Sequence, residues 1–121
     1  MNVTRVSVTP VTDGSGDATV YTEKVNGLLS TIQYVKTDYT DGVDFTITEE
    51  DTGLALWTGT NVNAATSISP RRPTTDALGA ASLYAATGEP VEDLIPIAGR
   101  IKVVIAAGGA AKTGQLVFTL I

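Results

Sequence analysis

The chain has 121 residues, 13 acidic side chains against 8 basic ones and a formal net charge of −5. Phosphate binding needs clustered Lys and Arg, and here only Arg71 and Arg72 are adjacent, which argues against nucleic acid as a primary partner. Histidine and cysteine are both absent, which removes disulfides, Cys-based zinc sites and every Ser-His or Cys-His nucleophile.

A single domain of this size, spanning residues 1–121, buries roughly two-thirds of its unfolded surface. Aromatic residues are few and much of the apolar content is alanine and valine, which suits a thin core between two sheets. Residues 1–6 lack the basic start and continuous apolar run of a signal peptide. No segment approaches the roughly 18 apolar residues of a membrane helix. The expectation is a protein made in the cytoplasm, without membrane contact, and kept there until assembled into something.

In chain order, residues 2–9 read as a valine- and threonine-rich strand ended by Pro10. Asp13-Gly14-Ser15-Gly16-Asp17 is a dense turn signal. Residues 18–25 form the next strand, and Asn26-Gly27, a favoured hairpin dipeptide, is expected to break it. Residues 28–36 follow, with Leu28, Ser30, Ile32 and Tyr34 on one face. The plainest strand is Val43 to Thr48, where Val43, Phe45 and Ile47 alternate with Asp44, Thr46 and Thr48. Glu49-Glu50-Asp51-Thr52-Gly53 turns the chain into a second strand over residues 54–58. Residues 61–69 could hold one or two short edge strands.

Residues 70–96 carry four of the five prolines and read as an irregular arm. Within it, residues 77–86 could make a short helix, which Gly79 and the flanking prolines oppose. A connection this long in a compact domain has a job. Two further strands, residues 100–107 and 115–121, flank the loop Gly108 to Gly114 and are expected to pair as a hairpin. Ile101, Val103 and Ile105 mark the inner face of one, and Leu116, Phe118 and Leu120 that of the other. The sum is an all-β fold, an antiparallel β-sandwich of seven or eight strands. Its core is expected from Ile32, Tyr34, Val43, Phe45, Ile47, Leu56, Trp57, Ile101, Val103, Ile105, Leu116 and Phe118.

Candidate chemistry is sparse. Gly108-Gly109-Ala110-Ala111-Lys112-Thr113 lacks the glycines of a phosphate loop and precedes a strand, so it reads as a loop between strands. Asp13, Ser15 and Asp17 have the spacing that opens a calcium loop, but the twelfth position holds Lys24, so a solvated turn is expected. Asp38, Asp41 and Asp44 could converge on a cation. Glu49/Glu50 and Glu92/Asp93 could in principle supply a carboxylate pair, yet neighbours on a strand face opposite ways, and solvated turn charges are the expectation. Trp57, Tyr34, Tyr39 and Tyr84 could form a sugar platform. Trp57 is the better core residue, and Tyr39 and Tyr84 the better exposed contacts. No cofactor, metal site or enzymatic activity is expected.

The arm reads instead as a protein-contact surface, anchored by Arg71, Arg72, Leu83 and Tyr84. It is too apolar for a solvated linker and too rich in Pro and Gly for a core element. The competing expectation is an Ω-loop folded over its own body.

From residue 28 onward the chain resembles small proteins encoded among the virion genes of tailed bacteriophages. The resemblance is carried by Asp38-Tyr39, the strand from Gly42 to Thr48, Thr52-Gly53, Leu56-Trp57, Asn61-Val62-Asn63 and Pro70-Arg71. Gly79 to Ala85, Gly88-Glu89-Pro90-Val91 and Arg100 to Ala106 carry it further. It implies a virion structural protein with no enzymatic role and leaves the part of the virion open. A small acidic β-domain with one long contact arm suits a head decoration or cement protein, whose partners would be the major capsid protein or other virion proteins and further copies of itself. The alternatives are a head–tail junction or tail component, and a carbohydrate- or host-surface-binding module on a tail appendage. The resemblance implies no site residues.

Overall fold

The computed structural model describes residues 3–121. It is all-β, with strands β1 (Thr4–Val8), β2 (Ala18–Tyr21), β3 (Val25–Val35), β4 (Val43–Glu49), β5 (Ala55–Val62), β6 (Thr66–Ile68), β7 (Arg72–Pro73), β8 (Glu92–Asp93), β9 (Ile95–Gly99), β10 (Ile101–Ala106) and β11 (Gln115–Leu120). Asn2, where the first strand was expected to start, lies outside the described residues. One sheet runs β1-β11-β3-β6, with β9 also on β3; a second runs β2-β10-β4-β5; β7 and β8 pair alone. Every pairing is antiparallel, and one sheet curls into a half-barrel.

Alternation decides which face is dry. Val43, Phe45 and Ile47 of β4 and Ile101, Val103 and Ile105 of β10 are all at most 1% exposed. They join Leu29, Ile32, Tyr34, Leu116, Phe118 and Leu120 of the other large sheet in one apolar cluster. Of the twelve core residues expected from the sequence, only Trp57 is not fully buried; its ring stacks on Phe45 at 5.3 Å and caps the cluster.

The long strand β3 departs from expectation. Asn26-Gly27 makes no hairpin, because β3 runs straight through it from Val25 to Val35. Gly27 has φ 150°, and a Cβ there would lie 3.1 Å from the Ile121 carbonyl oxygen. The glycine admits a neighbouring backbone instead of turning the chain. A few residues on, β11 pairs Thr119 with Thr31 and Leu120 with Leu29, skipping Ser30. This bulge shifts the alternation. Leu29 is therefore fully buried, and Leu28, expected on the same face as Ile32 and Tyr34, is 39% exposed.

The last two long strands also part company. Rather than pairing with each other, β10 lies between β2 and β4 while β11 lies between β1 and β3. Residues 107–114 carry the chain from one sheet to the other, with Ala107, Gly109 and Ala111 all at positive φ. Thr12 pins this crossing. Its hydroxyl bonds to the Gly109 carbonyl and accepts from the Lys112 N–H at 2.8 Å. A second crossing is shorter still, since β9 and β10 belong to different sheets and only Arg100 separates them.

Candidate functional site

The arm leaves the body at a gap in the sheet. On one edge of β3, β9 pairs with Val25 to Leu29 and β6 with Ile32 to Tyr34, leaving Ser30 and Thr31 unpaired on that side. Pro70 is buried there, and Arg71 Nη1 donates to the Ser30 carbonyl at 3.0 Å and to the Pro70 carbonyl at 2.7 Å. Arg71 is thus a fastener at the root of the arm as well as an exposed residue. The arm also ends earlier than its prolines suggested, because Ile95 and Pro96 already belong to β9 and Ile95 is a core residue.

Beyond the root, the segment is an ordered trefoil with no helix. Three short antiparallel stems meet at one junction. The base stem pairs Arg72 with Asp93 and Pro73 with Glu92. Two leaves are closed by the bridges Thr75–Ala81 and Leu83–Pro90. At the junction the Thr74 N–H donates to the Val91 carbonyl, the Val91 N–H to the Ser82 carbonyl and the Ser82 N–H to the Thr74 carbonyl, at 2.8, 2.9 and 3.0 Å. This closed ring satisfies the backbone without a core. Thr74 Oγ1 adds a bond to the Val91 carbonyl.

Each leaf ends in a four-residue turn with glycine last. Gly79 N–H donates to the Asp76 carbonyl and Gly88 N–H to the Ala85 carbonyl, the position that favours Gly in a type I turn. Asp76 Oδ1 accepts from the Leu78 and Ala80 N–H groups and sets the first turn. The two glycines are nine residues apart, and that spacing was the available sequence signal for the pair of leaves.

The leaves expose apolar surface. Leu78 is 95% and Tyr84 76% exposed, and Leu83 is partly exposed. No charged residue occurs between Asp76 and Glu89. None of residues 71–94 is buried, and Thr74, Ser82, Pro90, Val91 and Leu94 are half-buried. Arg71, Arg72, Leu83 and Tyr84 all lie in this unit, Arg71 and Arg72 at its base and the other two on the second leaf. Leu78, at the tip of the first leaf, was not among the residues expected from sequence. Between the base stem and β3/β9 lies a groove of about 550 Å³.

The other candidates come apart. Tyr34 and Tyr39 are core residues whose rings stack at 6.2 Å, so they offer no sugar platform. Tyr39, expected outside, is held in by its hydroxyl donating to the Pro10 carbonyl at 2.6 Å and by Gly114, where a Cβ would sit 2.4 Å from the ring. The three aspartates do not converge: Asp38 accepts from the Thr113 N–H, Asp41 pairs with Lys36 and Asp44 accepts from the Asn61 N–H. Asp13 closes a solvated turn, and the N–H groups of Asp17 and Ser15 hold its carboxyl below the usual range. Among the described residues no three His, Cys, Asp or Glu side chains are grouped to hold a metal ion.

Glu49 is not the solvated charge expected. It is 7% exposed and accepts from Thr52 Oγ1 at 2.8 Å and from the Ala98 N–H at 3.3 Å, tying the β4–β5 turn to β9. Its neighbour Glu50 meets Arg100 through both carboxylate oxygens, which lowers the Glu50 pKa and raises that of Arg100. Arg100 in turn lies over the Tyr21 ring at 4.3 Å. Both acids clasp the turn, Glu49 to Ala98 of β9 and Glu50 to Arg100. Compared with models of protein families, with curated proteins and with solved structures, the chain matches none.

Proposed function

We propose that this protein is a structural component of a tailed-phage virion, a decoration or cement protein on the outside of the head, made in the host bacterial cytoplasm. We read the two large sheets, of five and four strands, as the layers of a sandwich, and the trefoil as the contact arm, reaching neighbouring subunits of the shell. The observation that carries this reading is the uncharged stretch from Ala77 to Gly88, on which Leu78 and Tyr84 are exposed. Together with the resemblance of residues 28 onward to phage virion proteins, it favours assembly over catalysis. The role is non-enzymatic: with no His or Cys, the available acids are carboxylates, and Glu49 and Glu50 are engaged in clasps.

Partners are the major capsid protein or another virion protein together with further copies of this chain, with neither nucleic acid nor membrane involved. Binding only to the assembled lattice stabilises the particle by mass action. The test is the copy number of the chain in purified virions by quantitative gel. Decoration requires on the order of hundreds of copies, whereas a head–tail junction ring, limited by closed cyclic symmetry, holds about ten. Absence from the virion overturns the proposal.

A further inference from the structure

We propose that Asn26 is a site of spontaneous modification that the fold keeps shut: its side-chain amide is lost to the Gly27 nitrogen only when β9 comes away from β3. The modified residue then records that the root of the arm has opened.

The chemistry needs no enzyme. The Gly27 backbone nitrogen, losing its proton, bonds to the Asn26 side-chain carbonyl carbon. The bond from that carbon to the amide nitrogen breaks and ammonia leaves. Water then opens the cyclic imide at either carbonyl. One product is aspartate; the other is isoaspartate, in which the main chain runs through the former side chain. Both add a negative charge to a chain already at −5. Access to the attacking nitrogen limits the reaction, and glycine, with no Cβ, shields it least and turns most freely. Asn61 is instead followed by β-branched Val62, and Asn63 Oδ1 is held by the Gly42 N–H at 2.7 Å. Asn26 is exposed and precedes glycine.

The ladder closes this site. Leu28 exchanges both backbone hydrogen bonds with Ile121, each 2.9 Å long. Successive residues of a strand turn these groups to alternate sides, so the Gly27 N–H faces β9, where its partner is Ile97. Pro96, which has no N–H, stands opposite Leu28, where the ladder requires none. The extended backbone also holds the Gly27 nitrogen away from the Asn26 side chain.

Both restraints end when β9 leaves. That strand is anchored by Ile95 and Ile97, each 2% exposed, and by Glu49, which accepts from the Ala98 N–H. It follows the base stem of the arm directly, with only Leu94 between β8 and β9. An opening of the arm root that carries β9 with it therefore frees the nitrogen. Isoaspartate then lengthens the main chain of β3, and β9 cannot regain its register. The change is one-way.

The test is peptide mapping by mass spectrometry of chains held at mildly alkaline pH, in buffer and in unfolding urea. In urea Asn26 should lose its amide faster than Asn61 or Asn63. In buffer its loss should be slower by about tenfold or more, since only the open fraction reacts. Ile97→Val loosens β9, and Ile105→Val makes the same change in β10 of the other sheet. The first should raise the rate in buffer about fivefold, and the second should leave it close to wild type. Equal rates in buffer and urea, equal acceleration by the two variants, or faster loss at Asn61 or Asn63 overturns the proposal.

A measurement on the wild type alone covers the case in which Ile97→Val unfolds. Modified chains, separated by anion exchange, should show faster hydrogen exchange in β9 and in residues 25–29, with β4 and β10 unchanged. Unchanged exchange in β9 also overturns the proposal. None of these readouts depends on the virion role.

Discussion

Tyr34 and Tyr39 meet in the core, and only the Tyr39 hydroxyl has a partner, the Pro10 carbonyl. Tyr34 Oη is buried with no hydrogen-bond partner among the described residues. A buried hydroxyl left unpaired costs about 1–3 kcal/mol, while a made bond contributes about 1 kcal/mol. Tyr34→Phe should therefore raise stability in urea by about 1 kcal/mol, and Tyr39→Phe should lower it by a similar amount. The same burial pushes the Tyr39 phenol up to about 12, with the nearby Tyr34 adding to the shift. Below the unfolded-state value near 10 both states hold the proton; between 10 and 12 only the folded state does. Stability is then lost as pH rises through that window, by up to about 3 kcal/mol. Urea titrations at neutral pH and near pH 11 should show a smaller alkaline loss in Tyr39→Phe than in the wild type.

At the scale of elements, alternation was legible wherever a strand is regular. Val43 to Ile47 and Ile101 to Ile105 present the expected faces because nothing interrupts their period of two. Leu28 and Asn26-Gly27 were misread because both depend on a neighbour: Ser30 bulges against β11, and Gly27 makes room for Ile121. Likewise, the β10–β11 loop looks like a hairpin in sequence but crosses between sheets, held by Thr12 from nearly a hundred residues away. Thr12→Val keeps the shape and removes the hydroxyl, leaving the Lys112 N–H without its bond. It should cost about 1–3 kcal/mol in denaturant unfolding. Gly59 is a second long-range fit: a Cβ there would lie 2.6 Å from the Trp57 ring. Gly59→Ala should cost about 1–3 kcal/mol and shift tryptophan fluorescence as the ring is displaced from Phe45.

Over the whole molecule, a packed two-sheet frame carries an outlying unit held together by backbone hydrogen bonds. That residues 71–94 lie outside the long strands was legible, since Pro, Gly and small apolar residues mark them, but the segment starts after a buried Pro70 and ends before Ile95 of β9. Its trefoil form was not legible, because its stems are only two or three residues long and leave no periodic trace. Nor were the groove and the exposure of Leu78, which depend on where the arm meets β3. The contact role proposed for this segment is separable from folding. Arg72→Ala combined with Tyr84→Ala leaves the Arg71 fastener and the Thr74–Ser82–Val91 ring intact. Its unfolding midpoint should stay close to wild type, because exposed substitutions fall within about 0.5 kcal/mol. The most direct measurement is the amount of this double variant, relative to wild type, that co-purifies with phage particles grown in its presence. The account predicts a folded variant that is absent from particles; incorporation at the wild-type level would contradict it.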